Sequence, residues 1–82
     1  MSISPAYNQI FVCDSTNNSI LIIDGTTNTI TNTISVGTLP YDSIYDDNFD
    51  NIWVCNYTSG NVYVISRSSG LVVATISITG NP

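Results

Sequence analysis

The chain consists of two copies of one sequence pattern. Ile10 aligns with Ile52, and every later residue pair keeps the same offset of 42 without a gap, up to Pro40 and Pro82. The most similar segments are Ile10–Asp14 with Ile52–Asn56, Ser19–Ile23 with Asn61–Ile65, and Thr33–Ser35 with Thr75–Ser77. The 82 residues therefore divide into two equivalent units, residues 1–40 and residues 41–82.

Each unit contains four short apolar runs separated by residues that favour turns. We predict strands at 1–4, 9–14, 19–24 and 29–36, and their equivalents at 42–46, 51–56, 61–66 and 71–78. Asn28 and Gly70 occupy equivalent turn positions, and both residue types tolerate a positive φ. A repeat in the low forties built from four strands has the length of a propeller blade. The predicted fold is therefore all-β, with two four-stranded antiparallel blades.

Specific residues resemble a known family of propeller repeats. Phe11-Val12-Cys13-Asp14 and Trp53-Val54-Cys55-Asn56 resemble the aromatic–Val–small–Asn/Asp signature of YVTN-type repeats. The runs 59–65 and 70–76 resemble the third and outer strands of that repeat, and NHL repeats are a close alternative with the same architecture. The resemblance implies an extracellular or cell-surface parent, with relatives among lactonases and quinoprotein subunits. It does not assign a compartment to this chain.

Two blades are too few to close a propeller, which needs about four to eight. We expect Phe11, Ile22, Trp53 and Val64 to lie on blade faces, as core and interface residues. The predicted assembly is a cyclic homo-oligomer. Three copies giving six blades are preferred to four copies giving eight, because six blades leave a smaller central hole. The alternative is a fragment of a larger ligand- or sugar-binding propeller.

Charge narrows the possible partners. The net charge is −5 and Arg67, which we expect to face solvent, is the only Lys or Arg. Nucleic acids and anionic membranes are bound through Lys and Arg, so neither is an expected partner. The partner that the sequence predicts is a second copy of the chain itself.

Catalytic chemistry has little support in the sequence. No His is present as a general base, and no cofactor is predicted, so we expect no enzyme activity. A lactonase- or quinoprotein-like enzyme is the least favoured alternative. Cys13 and Cys55 are interpreted as small packing residues. The run 46–51 contains D-x-N-x-D but lacks the Gly and Glu of a complete calcium loop, so a polar turn is favoured over calcium.

One candidate binding site follows from propeller geometry. The linkers between blades ring one end of the central pore, and here they carry Tyr41, Asp42 and Asn81. The favoured interpretation is that several copies of these side chains around an axis cap the pore and bind only water. The alternative is that they form a site for a small polar or cationic ligand.

Overall fold

The computed structural model describes residues 2–78, and over this range the chain forms two four-stranded antiparallel sheets. The first sheet contains β1 (Ser2–Ser4), β2 (Gln9–Asp14), β3 (Ser19–Asp24) and β4 (Thr29–Ser35). The second contains β5 (Pro40–Asp46), β6 (Asn51–Asn56), β7 (Asn61–Ser66) and β8 (Val72–Ser77). Within each sheet every strand pairs with the next one along the chain. The predicted all-β class and the two four-stranded antiparallel sheets are confirmed.

The sequence repeat is also a repeat of backbone conformation. Left-handed residues occur in equivalent turns of the two sheets: Asn8 (φ 52°) with Asp50 (56°), Asn18 (51°) with Gly60 (67°), and Asn28 (58°) with Gly70 (70°). Asn, Asp and Gly are the residue types that adopt this conformation at least energetic cost. The positive φ expected at Asn28 and Gly70 is confirmed, and each hairpin turn has the same form in both sheets.

The hydrophobic core lies between the two sheets, in a contact that we call the intrachain junction. The fully or largely buried core side chains are Phe11, Ile20, Ile22 and Ile34 from the first sheet and Ile52, Val54 and Ile65 from the second. Cys13, Val36, Tyr45 and Tyr63 are partly buried against them. The Phe11 and Tyr45 rings meet across the junction with centroids 5.5 Å apart. Burial of these apolar groups is the main force holding the sheets together.

The sheets meet closely along one edge. Backbones of different sheets approach within 8 Å where β5 lies against β1 and β2. The far edge is more open to solvent, since every residue of β8 is exposed and Ile34 is the one buried residue of β4. The arrangement makes β1 and β5 the inner strands and β4 and β8 the outer strands.

A short linker joins the outer strand of the first sheet to the inner strand of the second. The amides of Val36 and Leu39 donate to the backbone oxygen and side-chain Oδ1 of Asn18, both at 3.0 Å. The Thr38 amide donates to Ser59 Oγ at 2.6 Å. The linker is thereby attached to a turn of each sheet, which fixes the second sheet relative to the first.

Gly37 is required where this linker crosses the second sheet. A Cβ at this position would lie 2.8 Å from Asn56 Cγ and 2.9 Å from Ser59 Oγ. Asn56 is fully buried and donates a hydrogen bond to Asn61 Oδ1, so its side chain has little freedom to move away. Any side chain larger than hydrogen would separate the linker from the second sheet.

Candidate functional site

The most distinctive surface is the apolar face of the second sheet that points away from the junction. Register places Ile44 opposite Trp53, Trp53 opposite Val64, and Val64 opposite Ala74, so these side chains share one face. Cys55, Val62 and Ile76 complete what we call open face 2. Ile44 is 64% exposed and Trp53 37% exposed, whereas Val64 is buried.

The first sheet has an apolar outer face of its own, which we call open face 1. Ile3 pairs with Ile10, and Ile10 pairs with Ile23. Val12 and Leu21 pair with each other and lie on the same face. Ile3 is 54% exposed, and the other four are half-buried. The chain therefore presents apolar surface on both of its outer sides.

The two open faces are repeat equivalents of the two sides of the intrachain junction. On open face 2, Trp53 and Val64 stand where Phe11 and Ile22 stand in the first sheet. Open face 1 has Ile10, Val12 and Ile23 where the second sheet has buried Ile52, Val54 and Ile65. Each open face thus has the composition of one half of a junction without its other half.

The structure separates the four predicted core and interface residues into two pairs. Phe11 and Ile22 are buried in the intrachain junction, with 0% and 3% exposure. Trp53 and Val64 lie on open face 2. The two pairs occupy equivalent repeat positions, yet only Phe11 and Ile22 face a neighbouring sheet within the chain.

A charged cluster closes one end of the intrachain junction. Arg67 Nε and Nη2 donate to the two carboxylate oxygens of Asp50 at 2.6 and 2.9 Å. The guanidinium carbon also lies 3.5 Å from the centroid of the Tyr7 ring, and Nη1 is 3.5 Å from Gln9 Oε1. Tyr45 Oη donates to Asp50 Oδ1 at 2.6 Å. The bidentate ion pair therefore holds Arg67 within the second sheet, and Arg67 contacts the first sheet through the Tyr7 ring and Gln9.

This cluster corrects the expectation that Arg67 faces solvent, since its side chain is only 13% exposed. Hydrogen bonds from Arg67 hold the pKa of Asp50 below its usual value. The Tyr45 hydroxyl has a raised pKa, first through burial and then through its hydrogen bond to Asp50. No sequence pattern indicated the cluster, because Tyr7 and Gln9 belong to the other unit.

The predicted pore-end residues lie at the beginning of an inner strand. The pairing of β5 with β6 shifts register between Pro40 and Asp42, and Tyr41 lies at this irregularity. Tyr41 is exposed, and its ring meets the Tyr57 ring edge-on with centroids 5.8 Å apart. Local desolvation raises the pKa of the Tyr41 hydroxyl, with a further contribution from Cys55 and Asp42. Asp42 Oδ1 accepts a hydrogen bond from the Ser43 amide at 2.8 Å.

The structure thus brings Tyr41 and Asp42 together on the inner edge of the second sheet. Asn81, the third predicted residue, lies outside the described residues. No enclosed pocket occurs within residues 2–78. A ligand site at these positions would need further copies of the chain.

The acidic and cysteine side chains are the remaining candidates, as ligands of a metal ion. Within the range 2–78, no three His, Cys, Asp or Glu side chains are grouped to hold a metal ion. In the run 46–51, Asp46 accepts from the Asn48 amide and Asp50 is engaged by Arg67. Cys13 and Cys55 are free thiols, half-buried, with pKa values raised by burial. None of the described residues belongs to a helix that could cross a membrane.

Comparison with solved structures shows what this fold resembles. The chain is similar to part of hydrazine synthase from Kuenenia stuttgartiensis, with a TM-score of 0.92, 22% identity, and coverage of 99% of this chain and 23% of that one. It is also similar to apo AztD from Citrobacter koseri, with a TM-score of 0.83, 17% identity, and coverage of 98% and 23%. Sqt1 from Saccharomyces cerevisiae gives a TM-score of 0.85 at 14% identity, with coverage of 98% and 20%.

These similarities concern the fold, and the two sheets resemble propeller blades. The chain spans about a fifth to a quarter of the length of these three solved chains. No family model matches the sequence. No curated protein matches it either.

Proposed function

We propose that this chain is a non-enzymatic β-propeller repeat unit of the YVTN type that assembles with copies of itself into a closed ring. The ring then acts as a scaffold or binding platform. The observation that carries the proposal is the pair of open faces, each equivalent to one half of the intrachain junction. Apolar surface on both outer sides favours association, because burying it releases water from Trp53, Ile44 and Ile3.

The preferred ring has three copies and six blades, and a ring of four copies and eight blades is second. Cyclic closure suits a chain whose two faces differ, since each copy can use one face toward each neighbour. The smaller ring leaves less central space to fill. Its inner wall would be lined by β1 and β5.

A ligand of this ring would bind at the pore end that carries Tyr41 and Asp42. Repetition around the axis would gather aromatic rings and carboxylates there, and such groups suit a small polar or cationic molecule. Asn81 is proposed for the same site on its sequence position alone. Nucleic acid and membranes are not proposed as partners, because the single Arg67 is already paired with Asp50.

A second candidate is favoured by the comparisons. The chain covers 20–23% of the three similar chains, so two blades of this kind also occur as parts of longer polypeptides. Under this alternative the natural neighbours of the open faces are further blades of one chain, in an extracellular ligand- or sugar-binding propeller. The isolated chain would then aggregate or remain unstable instead of forming a defined ring.

The mass in solution tests the proposal. Light scattering after size exclusion, and native mass spectrometry, should give about 26 kDa for three copies of an 8.8 kDa chain. About 35 kDa would indicate the four-copy ring. A folded species of one chain at every concentration would overturn self-assembly, and polydisperse aggregates would favour the fragment.

A further inference from the structure

We infer that the copies join head to tail, with open face 2 of one copy packed on open face 1 of the next, in the register of the intrachain junction. The inference rests on the proposed self-assembly. The partner of each open face is a second copy of this chain. The interface would be a continuation of a junction that the structure already contains.

Side-chain size supports this pairing. In the intrachain junction Phe11 contacts Tyr45. The equivalent residues at the interface would be Trp53 of one copy and Ile3 of the next. One side becomes larger and the other smaller, so the summed volume is nearly kept. Such volume-conserving exchanges are the ones that packed cores tolerate best.

Pairing of like faces lacks this match. A two-fold contact of open face 2 with itself would place Trp53 near a second Trp53, and Ile44 near a second Ile44. It would also leave open face 1 uncovered in both copies. Only the head-to-tail arrangement covers both faces and repeats the geometry seen within the chain.

The interface between copies would lack polar contacts of the intrachain junction. Ser2 Oγ and Ser43 Oγ are hydrogen-bonded across the junction at 3.0 Å, and the repeat equivalent of Ser2 is Ile44. The residues equivalent to Arg67 and Asp50 are Gly25 and Asn8. The backbone hydrogen bond between these positions is the same in both sheets. The Gly25 amide donates to Asn8 O at 2.8 Å, and the Arg67 amide donates to Asp50 O at 3.1 Å. The side-chain ion pair is therefore missing between copies, where Phe49 stands in place of Tyr7.

The two kinds of contact are consequently unequal. The one inside the chain has apolar burial and the Arg67 cluster, whereas the one between copies has apolar burial alone. On dilution the assembly should separate between copies and release folded two-sheet chains. Arg67 and Asp50 distinguish the permanent contact from the reversible one.

Blocking each face separately tests the arrangement. Ile44→Glu places a charge on open face 2, and Ile3→Glu places one on open face 1. Both side chains are more than half exposed, so each variant should fold. Thr16→Glu is the control, because Thr16 is exposed in the turn between β2 and β3, outside the strands that form both faces. It should assemble like the parent chain.

Sedimentation velocity would follow the variants alone and mixed. Each alone should be one chain, and an equimolar mixture should form a species of two chains, since one intact face of each kind remains. The concentration of the mixture should reach about a hundredfold above that at which the parent ring half-dissociates. A pair of chains is held by one interface, whereas each chain in a ring is held by two. Two-chain species from a single variant, or none from the mixture, would overturn the inference. A parent chain that never associates would instead overturn the proposed function.

Transfer of the ion pair gives an independent test. Asn8→Asp with Gly25→Arg would build the Arg67–Asp50 pair at the interface between copies. Gly25 has no positive φ, and Asp50 already adopts the φ needed at position 8. A Cβ at Gly25 would lie 2.6 Å from Asn8 Oδ1 and 3.0 Å from Asn8 O, so the side chain at position 8 must rotate. The equivalent backbone pair already holds both side chains at Arg67 and Asp50. Half-dissociation should require about tenfold greater dilution, as expected for a partly desolvated cation–aromatic contact. Unchanged or weaker association, with the fold retained, would contradict the assigned register.

Discussion

Replacement of Trp53 by alanine measures the apolar energy of the proposed interface. Trp53 is 37% exposed in one chain. A tryptophan offers up to about 250 Å² of surface, so roughly 90 Å² remains to be buried on association. At about 25 cal/mol per Å² this contributes about 2 kcal/mol to each interface. Trp53→Ala should therefore weaken each contact about thirtyfold, and a three-copy ring by about 6 kcal/mol in total.

Phe11→Ala is the matched control, because Phe11 is the repeat equivalent of Trp53 and is already buried in the intrachain junction. It should lower the stability of the chain by about 3–5 kcal/mol at every protein concentration. The loss of unfolding free energy caused by Trp53→Ala should instead increase with protein concentration, because association also stabilises the parent chain. Chemical unfolding across a hundredfold range of concentration would separate the two.

Fluorescence provides a second assay, since Trp53 is the only tryptophan in the chain. Its emission should move to shorter wavelength as association removes water from the indole. Emission that is unchanged while the mass rises would show that association uses another surface. Equal dissociation midpoints for Trp53→Ala and the parent chain would show that Trp53 is not buried between copies.

Three further outcomes are expected. The pKa of Asp50 in the folded chain lies below its ordinary value of about 3.9, so the ion pair stabilises the chain above that pH and is lost as pH falls through the lower pKa. Arg67→Met should therefore melt at a lower temperature than the parent chain at neutral pH, and this difference should vanish in acid. Gly37→Ala should destabilise the chain by about 1–3 kcal/mol in urea unfolding, because the added methyl meets a buried amide. A maleimide should modify Cys55, on open face 2, faster than Cys13, which packs against the core, when the protein is dilute. Association should remove this preference, as mass spectrometry of the labelled peptides would show. Equal rates at every concentration would count against burial of open face 2.

Much of the fold could be predicted from the repeat. The offset of 42 locates every strand to within two residues, because tight turns and alternating apolar residues recur in both units. It also predicts the left-handed conformation at Asn28 and Gly70. Local sequence was sufficient here, since hairpin turns are decided by a few neighbouring residues.

The site was harder to predict, because it depends on contacts between units. Equivalent sequence positions suggested one environment for Phe11 and Trp53, yet only Phe11 has a neighbouring sheet within the chain. Arg67 looked like an exposed base, and its partner ring on Tyr7 lies 60 positions away in sequence. Neither local propensity nor apolar periodicity contains such information.

The internal pairing of Arg67 has an electrostatic consequence for a multi-copy ring. Arg67 is the only basic residue and is paired with Asp50, so the remaining charged side chains of each chain are all acidic and its net charge is −5. Three chains bring together −15 and four bring together −20, so mutual repulsion grows with the number of copies and disfavours the larger ring. Added salt shortens the range of this repulsion to about 10 Å at 0.1 M, and should thus tighten association.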